Sequence, residues 1–172
     1  METDDPLKVV TSEQSRLTVD RRLSTCCELL KSIVEDNATD EEIILSRVTL
    51  RALEAIVRFY DYHNFVSPAV IEKPLKKDFR STLMESNRGA DLEFTEGLIN
   101  DLPYLGELLT AADYLDAKSY LSLLCAYVAS FFMNKEWDQI KDEFNLEGDF
   151  GYPEKEELKE EYPWLNEQSK DS

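Results

Sequence analysis

The sequence predicts an α+β domain: a small sheet packed with helices, followed by a helical extension. Three observations carry this. The first residues hold two short stretches rich in β-branched residues around a tight turn. Between them and Met133, apolar residues recur at helical spacing several times over. After Met133 the composition changes to a strongly acidic run with widely spaced apolar residues.

Leu7-Lys-Val-Val-Thr-Ser12 reads as the first strand, Glu13-Gln14 as a turn, and Arg16-Leu-Thr-Val19 as the returning strand. Asp20 or Ser24 is placed to cap a helix over Leu23–Val34. Its apolar positions are Leu23, Cys26, Cys27, Leu30, Ile33 and Val34. The two adjacent cysteines pack there as small hydrophobes. Residues 35–42 form a charged loop, and Ile43-Ile-Leu45 a short buried strand. Thr49 caps a helix from Leu50 to about His63, with Leu50, Leu53, Ile56, Val57 and Tyr60 on one face. His63, the single histidine, then sits at a helix C-terminus, where an imidazole suits the dipole.

Between Asn64 and Gly89 the periodicity breaks up around Pro68 and Pro74. Residues 64–91 are expected to be a long mobile loop. Lys73, Lys76, Lys77, Arg80 and Arg88 give it the one locally basic bias of the chain, suited to solvent or to an acidic partner. A helix is expected from Leu92 to Asn100, and another from Tyr104 to Tyr114 with Leu105, Leu108, Leu109 and Ala112 inward. A long helix starts at Lys118-Ser119. From Leu121 to Met133 only Ser122 and Ser130 are polar, so this helix is buried on most sides. At 13 residues that apolar run is too short for a bilayer, which needs roughly 20.

From Lys135 to Glu161 there are 11 acids and 4 bases. Short amphipathic helices are expected around Ile140 and Phe144 and over 154–161. Segments this short are marginal alone, so the tail docks on the domain or folds on a partner.

The bulk numbers exclude several classes. The formal net charge of −17 repels nucleic acid and anionic membranes. It favours basic partner surfaces. Three cysteines, two of them vicinal, form no disulfide framework and point to a reducing compartment, cytosol or nucleus. The polar, acidic N-terminus has no leader character. No glycine-rich phosphate loop, CxxC, HExxH or acidic calcium-loop spacing is present. His63 has no nucleophile or ligand cluster beside it in sequence. The chain is therefore expected to be no enzyme, with no cofactor, catalytic residue or metal. It reads as a binding module, with aromatic and aliphatic anchors in an acidic frame.

Several motifs together carry a resemblance. They are Ala111-Ala-Asp-Tyr-Leu-Asp116, Cys125-Ala-Tyr-Val-Ala129, Ile140-Lys-Asp-Glu-Phe-Asn-Leu146, Asp149-Phe150 and Glu161-Tyr-Pro-Trp164. In order and spacing they resemble the S-phase kinase-associated adaptor family, which joins F-box proteins to a cullin in SCF ubiquitin ligases. The first strand and Ile44-Leu-Ser-Arg-Val-Thr-Leu50 fit as well. The resemblance implies a BTB/POZ fold over residues 6–133 and an F-box-binding helical extension over 134–172. It implies an adaptor role in ubiquitin-dependent protein degradation, cytoplasmic and nuclear. The implied cullin-contacting residues are Leu109, Asp113 and Tyr114. The implied F-box-contacting residues are Leu121, Val128, Phe132, Ile140, Phe144, Leu146 and Trp164. Two positions depart from the family pattern: Asp113 replaces the usual Asn, and Gly106 stands where an aromatic is common. Alternatives are a cullin-independent scaffold, or a chain that self-associates as a weak homodimer without an F-box partner. An elongin C-like adaptor is a near neighbour that lacks the acidic tail.

Overall fold

The computed structural model describes residues 5–36 and 42–144. The sheet forms as expected. Strand β1 (Leu7–Thr11) pairs antiparallel with β2 (Arg16–Val19), Leu7 opposite Val19, and parallel with β3 (Ile43–Leu45), Val10 opposite Ile44. The strand order is β2-β1-β3. Gln14 takes a left-handed conformation, φ 61°, in the turn between β1 and β2.

The helix expected over Leu23–Val34 is broken in two. Arg21–Thr25 is a 3₁₀ turn, and α1 runs Glu28–Asp36. Side chains explain the break. The Asp20 carboxylate accepts from Arg22 N–H at 2.8 Å, and the Ser24 and Thr25 hydroxyls donate to the carbonyls of Arg21 and Arg22, each at 2.7 Å. Short polar side chains that bond their own backbone compete with helix. Of the two expected caps, Asp20 is used and Ser24 is not. Cys26 and Cys27 are buried, and desolvation pushes the Cys27 thiol far above its ordinary range. The charged loop expected over 35–42 falls largely outside the described residues.

Helix α2 spans Leu50–Tyr62, and Thr49 accepts from Ala52 N–H. Ala52, Leu53, Ile56, Phe59 and Tyr60 are buried along it. Asn64 and Phe65, both left-handed, then reverse the chain, and Phe65 N–H donates to the Tyr60 carbonyl at 2.7 Å.

The irregular reading of 64–91 is corrected over part of that segment. It contains α3, Phe79–Glu85, capped by Asp78, and a 3₁₀ turn opening at Gly89. Phe65, Ile71, Phe79 and Leu83 are buried in the main core. Phe79 and Leu83 are four apart on one face of the short α3, but Phe65 and Ile71 lie outside any periodic run, so no pattern marks those two as interior. Residues 66–78 form no helix or strand. This strap is tied by side chains from elsewhere. Ser119 Oγ donates to the Pro68 carbonyl at 2.5 Å, Ser122 Oγ accepts from Ile71 N–H at 2.8 Å, and Arg88 Nη1 donates to the Ala69 carbonyl at 2.6 Å.

The helix expected over Leu92–Asn100 is also corrected. Two 3₁₀ turns, Gly89–Phe94 and Leu98–Asn100, replace it, separated by Gly97 at φ 75°. A left-handed residue ends a helix, and glycine takes that conformation without a Cβ penalty. Helix α4 follows, Leu102–Tyr114, capped by Asp101 and with proline in its first turn. Helix α5 is Lys118–Phe132. Tyr120, Leu123, Leu124, Ala126 and Tyr127 are buried on it, and Tyr120 stacks near Phe59 with centroids 4.8 Å apart. This α+β arrangement is the BTB/POZ-type fold that the resemblance implies.

The chain divides into two compact units, 1–133 and 134–172. Helix α6, Trp137–Phe144, belongs to the second. The short helix expected over 154–161 lies outside the described residues. Among the described residues, no helix is long and apolar enough to cross a membrane, and no cluster of three or more His, Cys, Asp or Glu residues is arranged to hold a metal.

Candidate functional site

Two surfaces are built on α4 and α5. On α4, Leu105, Leu108, Ala111 and Ala112 face inward, so the opposite face is set by default. Gly106, Leu109, Thr110 and Asp113 fall on it at spacings of three and four. Asp113 is exposed, while Leu109 and Tyr114 are half-buried and pack on the core. Leu109, expected on the inner face, sits at the edge of the buried stripe. A Cβ on Gly106 would meet nothing within 4 Å, so a side chain there would project into open space.

The turn from α4 to α5 holds this surface in place. Asp116 is left-handed at φ 49°, and Ala117 N–H donates to the Ala112 carbonyl at 2.8 Å. Leu115 is buried, and its carbonyl accepts from Leu29 N–H at 3.3 Å, tying the turn to α1. Helix α4 is also pinned to α2. Glu107 accepts from Arg51 Nε at 2.7 Å and from Thr49 Oγ1 at 3.0 Å. The Arg51 guanidinium beside Glu107 holds its carboxyl below the ordinary glutamate range.

On α5, Leu121, Cys125, Val128 and Phe132 recur at four, three and four residues, which is one stripe of a helix. It is less buried than the rest: the first three are half-buried and Phe132 is 43% exposed. Three of the residues named from sequence, Leu121, Val128 and Phe132, thus lie on one stripe. Cys125 completes it and was missed, because a cysteine in an apolar run reads as core. Ile140 lies on α6. Phe144 closes that helix, and its side chain lies outside what is described, as do Leu146 and Trp164 entirely.

His63 was expected to complement a helix dipole. It is the C-cap of α2, and its Nε2 lies 2.8 Å from Oδ1 of Asp91. Arg88 Nε donates to Oδ2 of the same carboxylate at 2.6 Å. Asp91 is fully buried and Arg88 is 7% exposed. No sequence signal joins these three residues, which come from a helix end and a segment read as loop.

Comparison with known proteins agrees with this architecture. Residues 118–165 match the model of the Skp1 family, dimerisation domain. The chain is 34% identical over 161 residues to an S-phase kinase-associated protein 1 homolog of Tetrahymena thermophila, covering 94% of each chain. It is 28% identical to the SCF ubiquitin ligase complex protein SKP1a of Dictyostelium discoideum, over 92% of this chain and 94% of that one. It is 24% identical to the E3 ubiquitin ligase complex SCF subunit sconC of Arthroderma benhamiae, over 94% and 95%. With one relative above 30% identity along nearly its whole length, and with the sheet and helices in the expected order, this chain belongs to the Skp1 family.

Proposed function

We propose that this protein is a non-catalytic adaptor that links F-box substrate receptors to a cullin in an SCF-type E3 ubiquitin ligase, in the cytoplasm and nucleus. The observation that carries the reading is that relatives matching more than nine-tenths of the chain are named subunits of SCF ubiquitin ligases. The outer side of α4, where the exposed Asp113 lies beside the half-buried Leu109 and Tyr114, is the cullin side. The α5 stripe of Leu121, Val128 and Phe132, with Ile140, Phe144, Leu146 and Trp164 of the extension, is the F-box side. The chain contributes by holding a bound substrate near a ubiquitin-loaded partner, which raises its effective concentration there.

The test is pull-down with an F-box protein. The double variant Phe144→Ala/Trp164→Ala is expected to lose the F-box partner while keeping the far-UV spectrum and cullin binding. Full F-box retention by this variant overturns the assignment.

A second reading is self-association, favoured by the description of the family model over residues 118–165 as a dimerisation domain. Sedimentation over a concentration series separates the two. A dimer that persists with F-box protein in excess favours self-association as the working state.

A further inference from the structure

We propose that the cleft between the 66–75 strap and α3 binds an oxyanion, a carboxylate or a phosphoryl group, carried on a small apolar body. This site is separate from the adaptor surfaces on α4 and α5 and does not depend on that reading. The cleft has a volume of about 850 Å³, within the range of small-molecule sites. Its apolar wall includes Val70, Pro74 and Leu75, and its cationic groups are Lys76, Lys77 and Arg88.

Arg88 is the central observation. Its Nε is bonded to Asp91 and its Nη1 to the Ala69 carbonyl, but its Nη2 is buried with no acceptor. A buried donor left without a partner carries a desolvation penalty. Asp91 balances the charge of Arg88, so what this side chain offers a ligand is its spare N–H and not a net positive charge. A guanidinium with a spare N–H suits the paired oxygens of a carboxylate or phosphate. The Nη2 is closed to solvent in this state, and an oxyanion reaches it by a shift of the strap. No helix or strand holds that strap; three side-chain hydrogen bonds and the burial of Ile71 do.

The segment is less acidic than the chain as a whole, although Glu72 and Glu85 line the cleft beside its cations. Residues 73–88 carry five cations and two acids in a chain of net charge −17. At the rim Lys76 pairs with Glu72 and Lys77 with Glu85, but all four side chains are more than half exposed. Such pairs are weak and exchange readily for a ligand oxyanion. The acidic surface opposes anion binding in general, and shifts centred on residues 86–88 would place it in this cleft.

The experiment is a titration of the full chain followed by amide NMR, with phenylacetate and phenyl phosphate as probes and benzyl alcohol as the neutral control. Saturable shifts are expected at Ser86, Asn87 and Arg88 with at least one anion, and the tighter anion names the oxyanion class. Lys76→Gln/Lys77→Gln removes two exposed charges and is expected to weaken binding by about fivefold. Arg88→Lys keeps the pairing with Asp91 and loses the spare fork, and is expected to weaken it further. The proposal is overturned if neither anion saturates. It is equally overturned if benzyl alcohol binds as tightly, or if the lysine variant, with its fold unchanged, binds as the parent does.

Discussion

His63 Nε2 lies 2.8 Å from Oδ1 of Asp91, a fully buried carboxylate whose other oxygen takes a hydrogen bond from Arg88 Nε at 2.6 Å. One side chain thereby fastens the end of α2 to the segment that leads into α4. Asp91→Ala would leave the Arg88 guanidinium buried without its countercharge. Breaking a buried pair from one side costs about 3–5 kcal/mol. Urea denaturation should show that loss, and His63→Ala a smaller one of about 1–3 kcal/mol. Equal stability of Asp91→Ala and the parent would show that the pair does not hold the fold.

Ser122 sits in the buried face of α5 and accepts from Ile71 N–H at 2.8 Å. Ser122→Ala leaves that amide unpaired, at a cost of about 1–3 kcal/mol. The Ile71 amide should exchange with deuterium much faster in the variant, while amides in the middle of α5 keep their protection. Unchanged exchange at Ile71 would mean that the strap is held by other contacts.

Gly106 lies inside α4, and a Cβ there meets only open space. Gly106→Ala is expected to stabilise the chain by about 0.5–1 kcal/mol, since glycine in a helix interior is that much worse than alanine. Gly106→Phe tests the cullin surface. If this face is the cullin side, an added aromatic anchor is worth on the order of 1.5–3 kcal/mol when buried by the partner, or roughly tenfold or more in affinity. Asp113→Asn, at an exposed position, should act in the same direction. No gain in cullin binding from either variant would count against that face.

Cys125 is half-buried within the α5 stripe, whereas Cys27 is fully buried with its thiol pushed far up by desolvation. Iodoacetamide should label Cys125 first and leave Cys27 intact in the folded protein. Bound F-box protein should suppress labelling at Cys125. Labelling that ignores a saturating F-box partner would remove the α5 stripe from the interface.

The acid side of the stability profile should depend on Glu107. Its hydrogen bonds from Arg51, and then from Thr49, lower its folded pKa below the unfolded value. The stabilisation it contributes is therefore fully present above the unfolded pKa, near 4.5, and is lost as pH falls through the folded one. Asp20, held down by Arg22, and Asp78, held down by Ser81, act in the same sense. In a pH series of thermal melts, Glu107→Gln should flatten the decline below about pH 4.5 and lower stability above it. An unchanged slope would show that this pairing contributes nothing measurable.

Local chemistry was legible in the residues. The β1–β2 hairpin, β3, the caps at Asp20 and Thr49, and helices α2, α4 and α5 follow from β-branched runs, capping side chains and apolar spacing, which act over a few neighbouring residues. The motifs from Ala111 to Trp164 carried the family. Tertiary structure decided what depends on residues far apart in sequence. It placed Phe65 and Ile71 in the core, although they belong to no periodic run, and it made Phe79 and Leu83 the buried face of a short helix. It brought His63, Arg88 and Asp91 together from two segments, and it tied the strap with serines 51 residues away. It also broke two expected helices, where hydroxyls at Ser24 and Thr25 bonded backward and Gly97 turned left-handed. Periodicity reports which face of an element is apolar. Only packing decides what that face meets.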